Sequence, residues 1–131
     1  MKRSEQRENI FKLVFCGDFH TNDELDEQVA SYFEELPDVT EAEHAYIAGK
    51  FEKIKDRIPE IDAKINGVAK GWKTDRMGKA DLAILRVAVY EMLFDENVPV
   101  SVAINEAVEL AKKFGGDESP SFVNGILAKL V

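Results

Sequence analysis

The chain of 131 residues has little of what stabilises a small secreted protein or anchors a protein in a membrane. Its single cysteine, Cys16, cannot form an internal disulfide and lies in an apolar stretch, so we expect a buried thiol in a reducing compartment. The N-terminal stretch MKRSEQRENIFKLVF is basic, and Lys12 interrupts its few apolar residues, unlike a signal-peptide core or a membrane span. These absences predict a cytoplasmic protein with no membrane contact.

The sequence also lacks the motifs of common enzymes. It contains no HExxH pair, no phosphate-binding loop and no nucleophile motif. His20 lies near Asp18, and His44 lies near Glu41 and Glu43, but neither group has the spacing of metal ligands. Acid-rich surface helices bring such residues together by chance. We therefore expect a protein that is not an enzyme, with no catalytic residues, no metal and no cofactor.

Negative charge is abundant but unevenly distributed. The net charge is −8 at pH 7, and residues 18–62 contain 14 acidic and 4 basic residues, whereas the rest of the chain contains 11 acidic and 13 basic residues. The acidic block is typical of solvated helix faces, and a surface for a basic protein is the alternative. The mildly basic remainder leaves room for a face that binds phosphate groups.

Apolar residues recur with helical spacing along nearly the whole chain, and no segment alternates as a strand does. Capping and breaking residues then divide the pattern into seven predicted helices. The first contains Ile10 to Phe15, the second begins at Thr21 or Asn22, and the third begins at Thr40, with Glu43 completing a capping box. The fourth runs from Pro59 to near Gly71, and the fifth comprises KADLAILRVAVYEMLF. The sixth begins at Pro99 or Ser101, and the seventh runs from Ser119 toward Leu130. Short connections and the lack of a long linker predict one compact all-α domain over residues 1–131.

The fifth predicted helix is apolar almost all round, so we expect it to be the central one, buried on most sides. Arg86 interrupts its apolar surface, and a buried arginine needs an acidic partner. Glu106 or Glu109, from the following helix, is the predicted partner.

The stretch KKFGGDESPSFVNGIL, residues 112–127, predicts the end of the sixth helix and the start of the seventh. Gly115 or Gly116 in the left-handed conformation would close the sixth helix. Ser119, which precedes a proline, would cap the seventh by accepting a hydrogen bond from a backbone N–H of its first turn.

Capping does not explain Phe122, a large aromatic residue on the first turn of the seventh helix. It either packs in the core, as most aromatic residues at helical spacing do, or offers an exposed aromatic face to a ligand. Lys112 and Lys113 nearby either complement the dipole at a helix end or bind phosphates. From the residues alone, both alternatives are open.

Two long runs, WKTDRMGKADLAILRVAVYEMLF at residues 72–94 and VPVSVAINEAVELAKKFGGDESPSFVNGIL at residues 98–127, closely resemble the NusB family of bacterial transcription antitermination factors. RENIFKLVF at residues 7–15 adds a looser match. The resemblance implies a fold of two perpendicular three-helix bundles with basic residues on the N-terminal helix.

The resemblance also implies a function. The family binds the boxA element of nascent RNA together with NusE, a protein that also serves in the small ribosomal subunit. As part of the antitermination complex of RNA polymerase, it helps transcription of ribosomal RNA operons to resist termination. Two alternatives are a protein-only helical adaptor without RNA contact and a stand-alone relative of the accessory domain of RNA methyltransferases.

Cations along the phosphates and aromatic faces under the bases hold single-stranded RNA. This chemistry and the resemblance together predict the RNA-binding residues Lys2, Arg3, Arg7, Lys12, Phe15, Lys112, Lys113, Glu118, Ser119 and Phe122. The resemblance places partner-binding residues for NusE beside the central helix, at Asp75, Arg76 and Asp81. Because acidic and neutral residues such as Glu8 dilute the N-terminal basic cluster, we expect weak RNA binding by the chain alone and tighter binding with NusE.

Overall fold

The computed structural model describes the backbone of residues 1–131 and every side chain except that of Asn22. The seven helices are α1 (Arg3–Gly17), α2 (Asn22–Glu35), α3 (Glu41–Asp56), α4 (Ile58–Val68), α5 (Lys79–Phe94), α6 (Val100–Phe114) and α7 (Ser119–Ala128). A single 3-10 turn, Thr74–Arg76, lies between α4 and α5. The described backbone contains no β-strand, and the predicted all-α fold of seven helices is confirmed.

The helix boundaries follow the predicted caps in most places. Thr40 and Glu43 form the predicted capping box of α3, with each side chain bonded to the other residue's backbone N–H. Thr21 is the N-cap residue of α2, and the side chain of Asn22, the other candidate, lies outside the described residues. Helix α4 ends three residues before the predicted Gly71, which takes a left-handed φ of 83° in the turn that follows.

Helix α5 is the centre of the fold, as its apolar sequence predicted. Every side chain from Leu82 to Glu91 is buried. The helix packs against α6 and α7, which complete a three-helix bundle with it, and also against α1, α3 and α4. Helix α1 packs on both α3 and α5, so its orientation is fixed by two neighbours. The N-terminal helix is therefore a rigid element rather than a free basic arm.

The junction between α6 and α7 differs from the prediction. Gly115 has extended backbone (φ −97°, ψ −174°), and Gly116 also lies outside the left-handed region. Ser119 does not cap α7 from outside, because it already belongs to the first turn and Glu118 is the N-cap residue. The Ser119 hydroxyl instead accepts a hydrogen bond from the Gly116 N–H at 2.9 Å, which turns the side chain back towards the loop.

Arg86 is buried as predicted, but its partners are not the acidic residues of α6. Its guanidinium donates to Asp62 of α4 at 2.9 and 2.7 Å and to Asp18, just after α1, at 3.1 Å. Glu106 and Glu109 contact other side chains instead. Arg86 therefore ties α5 to the middle of α4 and to the end of α1 rather than to α6. The Cys16 thiol is half-buried, not buried as predicted.

Candidate nucleic-acid interface

A basic and aromatic surface lies where the C-terminal half of α1 meets the end of α6. Lys12 and Lys113 both place their ammonium groups near the ring of Phe114, at 5.6 and 5.5 Å from its centroid. Both lysine side chains are substantially exposed. Cations held over an aromatic ring gain an attraction to its negative face while staying open to a ligand. We call Lys12, Phe15, Lys112, Lys113 and Phe114 the α1–α6 face.

The aromatic residues of this face form a continuous series. The rings of Phe11 and Phe114 lie 5.0 Å apart between centroids and join α1 to α6, and Phe11 also lies 6.2 Å from Phe15. The edge of the series is Phe19, which packs against Phe15 at 5.1 Å and is 57% exposed. Sequence reasoning selected Phe15 but missed Phe19 and Phe114. The available signal for Phe19 was its four-residue spacing from Phe15, which repeats the spacing of Phe11 and Phe15 on α1.

Glu8 connects the two exposed lysines of the α1–α6 face. One carboxylate oxygen lies 2.6 Å from the Lys113 ammonium, and the other lies 3.3 Å from that of Lys12. Burial acts to raise the pKa of this carboxyl, but the hydrogen bonds from the two lysines outweigh it and lower the pKa below its ordinary value. The carboxylate is therefore charged at neutral pH. Lys112, by contrast, pairs with Glu109 at 3.2 Å.

The first residues of α1 carry a second group of cations. Lys2 and Arg3 are exposed, and the Arg3 guanidinium lies 3.8 Å from the centroid of the Tyr46 ring on α3. It also donates to Gln6 at 2.8 Å. The N-terminal ammonium pairs with Glu43. Arg3 is thus held against α3 by stacking, with its remaining N–H groups available for phosphate oxygens.

Arg7 was predicted to bind RNA, but its side chain lies in a buried ion pair rather than on the exposed basic surface. Its side chain is buried and donates to both carboxylate oxygens of Glu91 on α5, at 2.7 and 3.0 Å. Glu91 is fully buried and also binds Lys50 of α3 at 2.5 Å, while Lys50 reaches Asp95 at 3.0 Å. A buried carboxylate needs such partners because desolvation penalises its charge. Arg7 therefore orients α1 rather than facing a ligand.

A pocket of about 440 Å³ lies where the α6–α7 loop approaches the start of α5. It brings together residues predicted for RNA and residues predicted for the partner, and its walls include Arg76, Asp81, Glu118, Ser119 and Phe122. The two predicted surfaces are thus adjacent. Asp75, on the exposed 3-10 turn, is not part of this wall.

Phe122 is half-buried, with part of its ring against the core and part lining the pocket. The position of Phe122 is therefore compatible with both alternatives, packing in the core and offering an aromatic face to a base. Ser119 is buried, and its hydroxyl accepts the hydrogen bond from the loop, so its RNA contact stays a prediction. The pocket also contains Trp72, which is 58% exposed and which sequence reasoning did not select. A large exposed indole beside charged residues is typical of a binding surface.

Among the side chains that the structure describes, no group of three or more His, Cys, Asp or Glu residues is arranged to hold a metal ion. None of the described helices is both long and apolar enough to cross a membrane.

Comparisons with known proteins agree with this architecture. The sequence profile of the NusB family matches residues 4–131. The transcription antitermination protein NusB of Lachnoclostridium phytofermentans is 51% identical over 131 residues, which span 100% of this chain and 99% of that protein. The structure of T. maritima NusB is similar with a TM-score of 0.87 at 30% identity, over 99% of this chain and 90% of that one.

A further solved structure, of the antitermination factors NusB and NusE in complex with dsRNA, shares the fold. Its TM-score is 0.82 at 24% identity, over 99% of this chain and 97% of that one. The family profile covers nearly the whole chain, and the identity to curated relatives reaches half of all positions. The chain belongs to the NusB family, whose members are transcription antitermination factors rather than enzymes.

Proposed function

We propose that this protein binds single-stranded RNA of the boxA type on the α1–α6 face and on the neighbouring pocket, and that it does so together with NusE. The observation that carries the proposal is the convergence of Lys12 and Lys113, from two helices, over the ring of Phe114. Exposed ammonium groups bind phosphates, and adjacent aromatic faces accept unstacked bases. Family membership supports the same reading.

The N-terminal cations extend this surface. Lys2, the N-cap residue of α1, and Arg3, its first residue, are both exposed at the start of the helix that carries Lys12 and Phe15. A single strand lying along α1 would meet positive charge at both ends of the helix. Phosphate contacts of this kind supply affinity without reading sequence, so preference for boxA requires base contacts. Phe122 and Glu118, in the pocket wall, are the residues we assign to them.

NusE is the proposed protein partner, at the side of the pocket formed by Arg76 and Asp81. The related structure of NusB with NusE and dsRNA motivates this assignment. A ribosomal protein is expected to be basic, and Asp75 and Asp81 would steer it electrostatically. Because RNA and partner residues share one pocket, each ligand would complete the binding surface of the other. Within RNA polymerase antitermination complexes, this joint site would hold nascent RNA.

The decisive experiment is a titration of labelled boxA-like RNA with the protein, with and without NusE, at several stated salt concentrations. We expect weak binding by the protein alone, tighter binding with NusE, and a linear fall of log affinity with log salt concentration. RNA of the same length and scrambled sequence is the matched control. Binding of NusE without any RNA dependence would instead indicate the protein-only adaptor.

A further inference from the structure

Glu8 holds two phosphate-binding lysines at once. Its Oε1 is 2.6 Å from the Lys113 Nζ and its Oε2 is 3.3 Å from the Lys12 Nζ, so each oxygen of one carboxylate contacts one ammonium. The carboxylate side chain is 23% exposed, whereas the lysines are 63% and 42% exposed. The anion therefore lies at the base of the pair, and the cations form its outer rim.

This arrangement has the chemistry of a phosphate site. A phosphodiester presents two non-bridging oxygens that share one negative charge, as a carboxylate does. Lys12 and Lys113 come from different helices yet lie at nearly equal distances from the Phe114 ring, which fixes where their charges converge. Two converging ammonium groups bind an anion that has two oxygens. The Glu8 carboxylate is such an anion, supplied by the chain itself.

We infer that Glu8 is an internal competitor of RNA, which occupies the phosphate subsite of Lys12 and Lys113 until a strand displaces it. This inference rests on the proposed function and concerns its regulation. When RNA binds, the two ammonium groups turn from the carboxylate to a phosphate, and the carboxylate stays beneath as a negative charge. The chain thus limits its own affinity for RNA, and binding depends more strongly on the contacts that NusE adds.

The surroundings of Glu8 keep the competitor charged but displaceable. The charged and titratable groups that face it are Lys12 of α1, Lys113 of α6 and Tyr32 of α2. Burial and the charge of Glu8 raise the pKa of Tyr32 to about 12, so the phenol is neutral at physiological pH. Exposed ion pairs are weak because water screens them, so RNA can break these two.

The first test compares two substitutions that remove the same charge from α1. Glu8→Gln should raise the affinity for labelled single-stranded boxA-like RNA by about two- to fivefold, since an exposed ion pair limits affinity by no more than this. The slope of log affinity against log salt concentration should stay nearly the same, because both lysines contact phosphate in the RNA-bound state with or without Glu8. Glu5→Gln is the control, because Glu5 is exposed one turn earlier and contacts neither lysine in the described structure.

The second test asks whether the gain in RNA affinity from Glu8→Gln requires Lys12 and Lys113. In a chain that already carries Lys12→Ala and Lys113→Ala, Glu8→Gln should give no gain beyond that of Glu5→Gln. Equal affinities of the Glu8→Gln and Glu5→Gln variants in the otherwise unchanged chain would overturn the inference. If Lys113→Ala still weakens RNA binding in that case, the proposed function stands. If neither lysine substitution changes RNA binding, the proposed function fails and the inference fails with it.

A third measurement needs no substitution and so does not depend on the folding of a variant. The pKa of the Glu8 carboxyl can be followed by NMR in the intact protein, with and without the same RNA. We expect the pKa to rise on binding, because the lysines leave the carboxylate and phosphates approach it. An unchanged pKa in the RNA-bound protein would show that Glu8 keeps its lysines and does not compete.

Discussion

Gly115 and Ser119 approach each other so closely that a β-carbon at position 115 would lie 2.4 Å from both the Cβ and the Oγ of Ser119. The same atom would lie 2.8 Å from the carbonyl oxygen of Ala111. This contact closes the loop between α6 and α7, next to the pocket that we assign to RNA and NusE. Glycine is required at position 115 because a side chain would clash with Ser119. Its extended backbone conformation, by contrast, is one that any residue can adopt.

The first prediction follows from this contact. Gly115→Ala should destabilise the fold by about 1–3 kcal/mol, the usual cost of forcing an extra carbon into a packed site. Gly116→Ala is the matched control, because nothing lies within 4 Å of a β-carbon built there. Urea unfolding of both variants measures the difference. Equal midpoints would mean that the loop shifts to accept the methyl group without strain.

The second prediction separates Arg7 from the exposed cations. Arg7→Ala removes one partner of the buried Glu91 carboxylate, and such a loss costs about 3–5 kcal/mol of stability. RNA affinity of the folded fraction should change little. Lys113→Ala, at an exposed position, should do the opposite: it should weaken RNA binding and leave the unfolding midpoint nearly unchanged. Loss of RNA affinity in a fully stable Arg7→Ala protein would restore Arg7 to the binding surface.

The third prediction concerns acid stability and Asp18. Burial opposes the charge of this carboxyl, but hydrogen bonds from Lys79 and Arg86 lower its pKa below the ordinary value of 3.8. A group whose pKa is lowered by folding contributes stability above its unfolded pKa, and this contribution is lost as pH falls through the folded pKa. Stability should therefore decline below about pH 4, and Asp18→Asn should make that decline shallower while lowering stability at pH 7.

Urea unfolding midpoints between pH 2 and pH 7 test this dependence. Asp117→Asn is the control, because it removes the same charge from an exposed loop position that has no ion pair among the described contacts. Parallel pH curves for the unchanged chain and Asp18→Asn would show that the ion pairs of Asp18 with Lys79 and Arg86 do not cause the acid sensitivity.

The fourth prediction distinguishes the two roles of Phe122. Phe122→Leu keeps an apolar side chain against the core but loses the aromatic face, so it should cost about 1–3 kcal/mol of RNA affinity with little change in melting temperature. If the ring served only packing, Phe122→Ala would destabilise the fold by about 3–5 kcal/mol and RNA affinity of the folded fraction would persist. Ser119→Ala should cost about 1 kcal/mol of stability through its lost hydrogen bond from Gly116.

The fifth prediction addresses the partner side of the pocket. Asp81→Lys should slow association with NusE, and the effect should be largest at low salt because exposed charges are screened at higher ionic strength. Asp75→Lys makes the same charge change outside the pocket wall and should slow association less. Stopped-flow association at several salt concentrations gives both rates. Identical rates for the two variants would indicate steering by overall charge alone.

The sequence predicted the elements of this fold better than their contacts. Helix α5 has the predicted bounds, and the capping box at Thr40 formed, because local apolar periodicity and caps depend on neighbours a few residues away. Arg86 was correctly expected to be buried with an acidic partner. Its actual partners, Asp62 and Asp18, lie 24 and 68 positions away, and no local pattern specifies them.

The candidate site shows the same limit. Lys12 and Arg7 are both cations on α1. Helical spacing places Arg7 on the same face as the buried Ile10 and Phe11, a signal that the prediction overlooked, but spacing alone does not show which neighbour each side chain meets. The packing of α1 on α3 and α5 decides it, because that packing turns Arg7 toward Glu91 and Lys12 toward Phe114. The close contact of Gly115 with Ser119 could likewise not be predicted from the sequence. A glycine at a helix end usually indicates a left-handed φ, and that was the prediction made for it.

The pairing of Arg7 with Glu91 has a consequence for synthesis of the chain on the ribosome. The two residues are separated by 84 positions, so at roughly 5–20 residues per second α1 is made about 4–17 s before its buried partner exists. During that interval the guanidinium has no carboxylate on α5 to bind, and α1 cannot dock in its final orientation. The surface that carries Lys12 and Phe15 is therefore completed only after α5 has emerged, although α1 is translated first.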